Sequence, residues 1–282
     1  MKNQVMWPEL RPSEMDAFNP NDYTNLLLAE GDSWFAWGYL NLRPSPNVLT
    51  SMRFRESAAT LSFAYSGDTI GDMARISQSR GFYQELMDRK YSALLLSGGG
   101  NDLFDAIRLG NILRKPARGV NDPTDPDTYV DWDAVDRLSA YVAANYRQIM
   151  SWRDGSRSKN RRTPFILYTY DYPMPRPAKA QVMGLPAVGT WLHAPLLAIA
   201  APPALHFEII RRVVDRLAET MLDLADPTAG IHVVDTRGKL IPGQAGSQAD
   251  SNDWANEVHP NESGYGKIAV VLCAELNSLG VS

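Results

Sequence analysis

Residues 26–33 read Leu-Leu-Leu-Ala-Glu-Gly-Asp-Ser, an apolar run of strand length that ends in a small polar turn. The same order recurs further along the chain, where residues 61–65 precede Ser66-Gly67-Asp68-Thr69 and residues 93–96 precede Gly98-Gly99-Gly100-Asn101-Asp102. Two more apolar runs occupy residues 165–168 and 231–234. Runs that are apolar nearly throughout are typical of parallel strands with both faces covered. The sequence therefore predicts a parallel sheet of five strands.

Helical patterns separate these strands, with apolar residues three or four positions apart. They cover residues 132–149 and 207–221, and a final one covers residues 265–279. Strands that alternate with helices predict an α/β fold, a three-layer α/β/α sandwich. The 282 residues contain no repeat and no low-complexity linker, so we expect a single domain over residues 1–282.

Composition narrows the functional classes. The chain has 28 Lys and Arg against 32 Asp and Glu, a net charge of −4, and this balance argues against nucleic acid as the main partner. Cys273 is the one cysteine, which excludes an intrachain disulfide and a cysteine metal cluster and fits a reducing compartment. The first residues lack the apolar core of a secretory signal. We therefore expect a cytoplasmic protein.

No charged residue occurs between Lys179 and Glu208. Prolines interrupt this stretch too often for a membrane helix of about 20 residues, so no integral membrane segment is expected. We interpret the region at about 172–206 as an insertion or lid-like loop that packs on the domain. The alternative is that residues 180–207 form the contact surface of a homo-oligomer.

The three small polar turns carry the candidate chemistry. In an open parallel sheet the carboxyl ends of neighbouring strands lie along one edge, where ligands bind. A single glycine-rich turn of this kind is typical of an ordinary helix start with an Asp or Ser cap. Three turns at one edge favour a site instead, with Ser33 as candidate nucleophile and Asn101 as candidate hydrogen-bond donor.

A serine nucleophile needs a base, and the chain has four histidines. His232 lies in a strand, His206 opens a helix and His193 lies in the apolar segment. His259 instead lies in a loop after the fifth strand, and Pro260 favours an extended backbone there. His259 is therefore the candidate base.

Four motifs, Gly31-Asp32-Ser33, Gly67, Gly99-x-Asn101 and His259-Pro260, occur in this order and resemble the four sequence blocks of the SGNH hydrolases, the GDSL-type esterases and lipases. The resemblance spans most of the chain. It implies a flavodoxin-like strand order 2-1-3-4-5, with Ser33 as nucleophile and His259 as base. It also implies an oxyanion hole made by Ser33, Gly67 and Asn101. The implied reaction requires neither a metal nor an organic cofactor.

One position departs from the family pattern. The family usually has an aspartate three residues before the histidine, where this chain has Asn256. An amide oxygen can orient an imidazole but brings no negative charge. Asp253 or a backbone carbonyl are the alternatives for orienting His259, whereas a two-residue offset is expected to point Glu257 away.

The resemblance predicts a serine hydrolase that cleaves carboxylic esters through an acyl-enzyme. If the uncharged segment 180–207 folds over the sheet edge as an apolar acyl pocket, short-chain or lipid-like acyl esters are the expected substrates. Trp34, Tyr172 and Trp191 are the candidate substrate contacts, and a small-molecule ester is the expected partner. A carbohydrate acetyl esterase is one alternative, since Trp and Tyr side chains can form sugar platforms. A non-catalytic ligand-binding protein and an assembly protein on the same fold are the others.

Overall fold

The structure is a computed structural model that describes residues 1–36, 45–117, 122–179, 181–182, 185–186 and 190–282, the side chains of 181–182 and 185–186 excepted. The strands are β1 Gln4–Met6, β2 Asn25–Gly31, β3 Ala58–Ser62, β4 Ala93–Ser97, β5 Phe165–Tyr168, β6 Gln181–Val182, β7 Leu185–Pro186 and β8 Ile231–Val234. The α-helices are α1 Val48–Ser51, α2 Ile70–Met73, α3 Arg80–Asp88, α4 Gly100–Arg108, α5 Trp132–Asp154, α6 His193–Ala198, α7 His206–Leu222 and α8 Glu262–Ser278.

The main sheet has the order β1-β3-β2-β4-β5-β8, with every neighbouring pair parallel. The five strands predicted from the apolar runs therefore follow the expected order 2-1-3-4-5. Two details of the prediction were wrong. A sixth strand, β1, lies at the edge beside β3, and its three residues are too few to give an apolar run. The strand β3 also begins three residues earlier than predicted and ends at Ser62.

Side chains alternate between the two faces of the sheet, as the pleat of a strand requires. In β2, Leu26 and Leu28 pack in one hydrophobic cluster, and Leu27 and Ala29 pack in the other. Buried residues of α3, α4, α5 and α7 complete the first cluster, and those of α1 and α8 complete the second. Both faces are thus covered by helices, which confirms the three-layer sandwich.

The helices predicted over residues 132–149, 207–221 and 265–279 correspond to α5, α7 and α8. The segment expected as a lid-like loop is more structured than predicted: its described part contains the antiparallel pair β6–β7 and the short helix α6. Positions 180, 183–184 and 187–189 of that segment lie outside the described residues. In the described ranges, no helix combines the length and the apolar character that a membrane crossing needs.

Candidate active site

Ser33 lies in a tight turn at the carboxyl end of β2. Gly31 permits the close approach of β2 to β4, because a Cβ atom at this position would lie 2.9 Å from Cβ of Ser97. The next residue, Asp32, donates its backbone N–H to the Ser97 carbonyl and accepts the Ala36 N–H on its own carbonyl, both at 3.0 Å. This single helical turn holds Ser33 at the sheet edge.

His259 meets Ser33 from the loop before α8. Its Nε2 lies 2.8 Å from the Ser33 Oγ, and its Nδ1 lies 3.2 Å from Oδ1 of Asn256. The same Asn256 oxygen accepts the backbone N–H groups of Val258, at 3.0 Å, and of His259, at 2.9 Å. Because an amide oxygen cannot donate, the proton of a neutral ring belongs on Nδ1. The unprotonated Nε2 then faces the serine hydroxyl as an acceptor.

The second and third polar turns are joined to each other. The Asp68 N–H donates to the Tyr65 carbonyl and closes a four-residue turn. Gly67 is the third residue of this turn and has a φ of +97°, a conformation that glycine adopts without steric cost. The Asn101 side-chain amide donates to the Asp68 carbonyl at 2.8 Å. Asn101 is thus fixed in the first turn of α4 against the residue that follows Gly67.

Asp102 makes a second link between these turns. Its carboxylate accepts the Ile70 N–H, at the start of α2, at 2.8 Å. Asp102 lies in α4 but therefore accepts a backbone N–H at the amino-terminal end of α2. Burial raises the pKa of Asp102 to about 6.

A small cleft with about 190 Å³ of empty space opens at this edge. Its lining includes Ser33, Asn101, His259 and Trp191 from the predicted set, and the Trp191 side chain is partly exposed. The Trp191 ring meets the His259 ring edge-on, with 5.7 Å between their centroids. Within the described residues Gly67 is not part of the lining. The other lining residues are Asp32, Trp34, Gly100, Phe104, Tyr170 and Val258.

The remaining two candidate substrate contacts differ in their surroundings. Trp34 is 2% exposed and packs edge-on against Tyr170, while its indole N–H donates to the Val258 carbonyl at 3.3 Å. It borders the cleft but mainly joins the nucleophile turn to the histidine loop. The Tyr172 hydroxyl donates to Asp215 on α7 at 2.5 Å, and Tyr172 does not line the cleft, where Tyr170 stands instead.

Asp32 forms a polar centre beneath Ser33 that sequence reasoning missed. Its carboxylate accepts the hydroxyls of Ser97, at 2.8 Å, and of Tyr170, and the backbone N–H of Trp34, at 3.0 Å. Burial raises the pKa of Asp32 to about 6, against the lowering effect of these donors. Although the Gly-Asp-Ser motif marked this position, no pattern indicated Ser97 or Tyr170 as its partners.

Of the two side chains that could orient His259, Asn256 contacts the ring, and Asp253 is engaged elsewhere. The Asp253 carboxylate forms an ion pair with Lys267 and accepts the Ile241 N–H at 2.7 Å and the Ser263 hydroxyl at 3.0 Å. Since the segment 251–259 forms turns rather than a helix, the helical spacing that favoured Asp253 does not apply.

Glu257 points away from the ring, into a cluster of backbone donors that the sequence did not reveal. Its two oxygens accept the N–H groups of four residues: Arg176 at 3.2 Å, Trp191 at 2.7 Å, Leu192 at 3.0 Å and His193 at 2.6 Å. Burial raises the pKa of Glu257 to about 7, although the donors act to lower it.

Burial also sets the charge of His259. His259 is 6% exposed, and the loss of hydration lowers its pKa to about 4, so the ring is neutral at pH 7. A neutral imidazole whose Nε2 carries no proton can accept the proton of an attacking hydroxyl. Across the described ranges, no three His, Cys, Asp or Glu side chains are grouped so that they could hold a metal ion.

Neither a protein-family model nor a curated protein matches the chain. Among solved structures, it aligns with the lipase Lip_vut3 from a goat rumen metagenome at a TM-score of 0.58 and 14% identity, over 92% of this chain and 99% of that one. It aligns with an extracellular lipase from Streptomyces rimosus at a TM-score of 0.54 and 15% identity, over 91% and 100%. A putative SGNH hydrolase from Slackia heliotrinireducens aligns at 0.43 and 12%, over 89% and 97%. At these identities the likeness to the two lipases concerns the fold alone.

Proposed function

We propose that this protein hydrolyses carboxylic esters through an acyl-enzyme formed on Ser33. One observation carries the proposal: His259 Nε2 lies 2.8 Å from the Ser33 Oγ while Nδ1 faces an oxygen that can only accept. This arrangement fixes the tautomer in which Nε2 takes the serine proton. A nucleophile, a base within hydrogen-bond reach and a third group that orients the base form the general pattern of nucleophilic acyl transfer.

In the first half of the reaction the Ser33 Oγ bonds to the ester carbonyl carbon, and its proton moves to His259 Nε2. The tetrahedral intermediate then breaks its bond to the alcohol oxygen, which leaves with the proton held by His259. In the second half, water gives a proton to His259 and attacks the acyl carbon. Ser33 leaves as the free hydroxyl, and the products are a carboxylic acid and an alcohol.

The backbone N–H groups of Ser33 and Gly67 and the side-chain amide of Asn101 are the proposed donors to the oxyanion. The bond from Asn101 to the Asp68 carbonyl supports this role, because it uses one amide hydrogen and fixes the direction of the other. Donors held in place before the reaction stabilise the developing charge without a reorganisation cost.

The walls of the cleft favour a short acyl group. The Trp191 ring lies edge-on to the proposed base, 5.7 Å from the His259 ring between centroids, and the aromatic rings of Phe104 and Tyr170 line the same cleft. We therefore propose acetyl to butyryl esters as the substrate class, with Trp191 as a wall of the acyl site. The segment at about 172–206 then acts as an insertion that completes the site.

A panel of p-nitrophenyl esters from acetate to octanoate tests the proposal on the wild type, Ser33→Ala and the exposed control Ser278→Ala. We expect turnover that falls with acyl length, a fluorophosphonate adduct whose mass maps to Ser33, and loss of both in Ser33→Ala by at least about 10³-fold. The Ser278→Ala protein should match the wild type. Absence of the adduct and of turnover in the wild type would instead favour the ligand-binding or assembly alternatives.

A further inference from the structure

We infer that Glu257 is a positioning residue that sets acyl-chain preference by holding Trp191 against His259. The inference deepens the proposed function and rests on it. Glu257 itself does not touch the reacting atoms: it acts through the backbone of residues 191–193, which it binds at the start of α6.

The geometry of the carboxylate supports this role. One oxygen of Glu257 accepts the N–H groups of Arg176 and His193, and the other accepts those of Trp191 and Leu192. Glu257 is 2% exposed, so water does not compete for these donors. A buried carboxylate with four hydrogen bonds to two separate chain segments fixes both of them relative to its own loop.

The loop that carries Glu257 is also the loop that carries the proposed base. Asn256 closes it by accepting the N–H groups of Val258 and His259. Arg176 also binds this loop, because its buried guanidinium donates to the carbonyls of Asn256, at 2.8 Å, and Trp254, at 3.2 Å. Residues 191–193 and the His259 loop are therefore bound as one unit.

Trp191 is the part of this unit that faces the cleft. Its backbone N–H is 2.7 Å from the Glu257 carboxylate, and its ring lies edge-on to His259. The neighbouring Leu192 is fully buried in the core and anchors the same segment. Loosening the bonds to Glu257 should free the Trp191 ring, enlarge the acyl site and relax the preference for short chains, whereas the bond between Ser33 and His259 stays in place.

The test compares wild type, Glu257→Gln, Trp191→Ala and the double variant. The glutamine replaces one acceptor oxygen by an NH₂ group that faces backbone donors, so it weakens the cluster without removing the side chain. We expect the ratio of octanoate to acetate kcat/KM to rise about tenfold in each single variant, a change typical of one lost aromatic contact in a binding site. In the Trp191→Ala background, Glu257→Gln should add nothing. A general loss of stability lowers turnover on all esters and does not give this gain.

The control is Glu262→Gln, an exposed glutamate in the first turn of α8, which should leave the ratio unchanged. Equal losses on all esters in Glu257→Gln, or an effect that persists in the Trp191→Ala background, would overturn the inference. So would an unchanged ratio in Trp191→Ala, even if Glu257→Gln fails to fold.

A second readout needs no activity. Wild type, Glu257→Gln and Glu262→Gln are each compared with their Trp191→Phe counterparts, and the difference in acrylamide quenching isolates Trp191 from the other six tryptophans. We expect Trp191 quenching to increase in Glu257→Gln, and unchanged quenching overturns the positioning role. If the wild type neither hydrolyses esters nor labels at Ser33, the proposed function fails, while the quenching result still reports on Glu257.

Discussion

The side-chain oxygen of Asn256 lies 3.2 Å from Nδ1 of His259 and at the same time closes the loop that carries the histidine. In an Asp-His-Ser arrangement the aspartate both orients the imidazole and stabilises the imidazolium. Asn256 can do the first and has no charge for the second. Asn256 can therefore orient the ring of His259, the proposed base, without supplying a negative charge that would stabilise its protonated form.

We expect Asn256→Asp to raise kcat/KM at pH 7 by at least about tenfold, because losing the carboxylate from a serine triad can cost about 10⁴ in rate. The new charge should also raise the pKa of His259 from its value of about 4, which moves the acid limb of the pH–rate profile to higher pH. Steady-state kinetics between pH 4 and 9 measures both effects.

The matched variant Asn256→Ala removes the acceptor and leaves the N–H groups of Val258 and His259 without their present partner. Its kcat/KM should fall by about 10²-fold or more, in the range of other misoriented-base variants. If Asn256→Asp changed neither the rate nor the position of the acid limb, Asn256 would not be the group that orients His259.

The wild-type pH profile follows from the buried base. His259 acts in its neutral form, and burial holds its pKa at about 4, below the ordinary 6.5. For a neutral ester, kcat/KM should therefore stay level from pH 8 down to about 5 and fall by half near pH 4. A profile that falls by half at about pH 6.5 would show that the ring is hydrated in the working enzyme.

The same shift has a stability consequence with a definite sign. Because the folded state binds the His259 proton less readily than the unfolded state does, this group destabilises the fold as the pH drops from 6.5 to about 4. His259→Gln should remove this part of the acid sensitivity. Urea denaturation at pH 7 and pH 4.5 measures the difference, with the partly exposed His193→Gln as the control.

Much of the fold was predictable because burial on both faces leaves a visible pattern. The apolar runs of β2, β4 and β5 mark buried strands, and the rule that parallel strands share a carboxyl edge brings Ser33 and Asn101 to one place. The edge strand β1 was not predictable, since three residues with one buried side chain carry no such pattern.

The side-chain contacts of the site were predictable only in part. Pro260 and the loop position indicated His259, and the structure brings its ring to Ser33. Glu257 was predictable only in part. Its spacing from His259 indicated that it does not orient the ring, but nothing in the sequence indicated that its carboxylate binds residues 65 to 66 positions earlier. Such partners depend on how an insertion packs, which hydrophobic periodicity does not encode.

Asn101→Ala tests the proposed oxyanion hole. Removing one such donor costs about 10²–10³ in turnover, and we expect a loss in kcat of this size with little change in KM. The side chain is partly exposed and its loss leaves a single carbonyl, that of Asp68, to be hydrated, so the free energy of unfolding should change by less than about 1 kcal/mol. Unchanged kcat would remove Asn101 from the mechanism.

Gly67→Ala tests the neighbouring donor by a different route. A Cβ at this position meets no atom within 4 Å, so any effect must come from the backbone, whose φ of +97° is unfavourable for alanine. We expect a loss of about 1–2 kcal/mol in stability and a fall in kcat as the peptide turns its N–H away. The comparison variant is Gly110→Ala, also at positive φ with open space but beyond the carboxyl end of α4, the end opposite to the third turn; it should lose stability and keep its kcat.

Asp32→Asn tests the polar centre under the nucleophile. Burial raises the pKa of Asp32 to about 6, from 3.8, so the folded state favours the protonated form. The stability that this carboxyl contributes is therefore fully present below pH 3.8 and is lost as the pH rises through 6. The loss is on the order of 3 kcal/mol, because a shift of one pKa unit corresponds to about 1.4 kcal/mol.

An asparagine keeps the shape and cannot ionise, and the Ser97 and Tyr170 hydroxyls can turn to accept from its amide. Relative to wild type, Asp32→Asn should thus gain stability steadily from pH 4 to 7 and remain level above pH 7. Urea denaturation at one-unit pH intervals measures this difference, with Asp88→Asn, exposed at the end of α3, as the control. A difference that runs the other way would mean that the hydroxyl and backbone donors stabilise the charge more than burial penalises it.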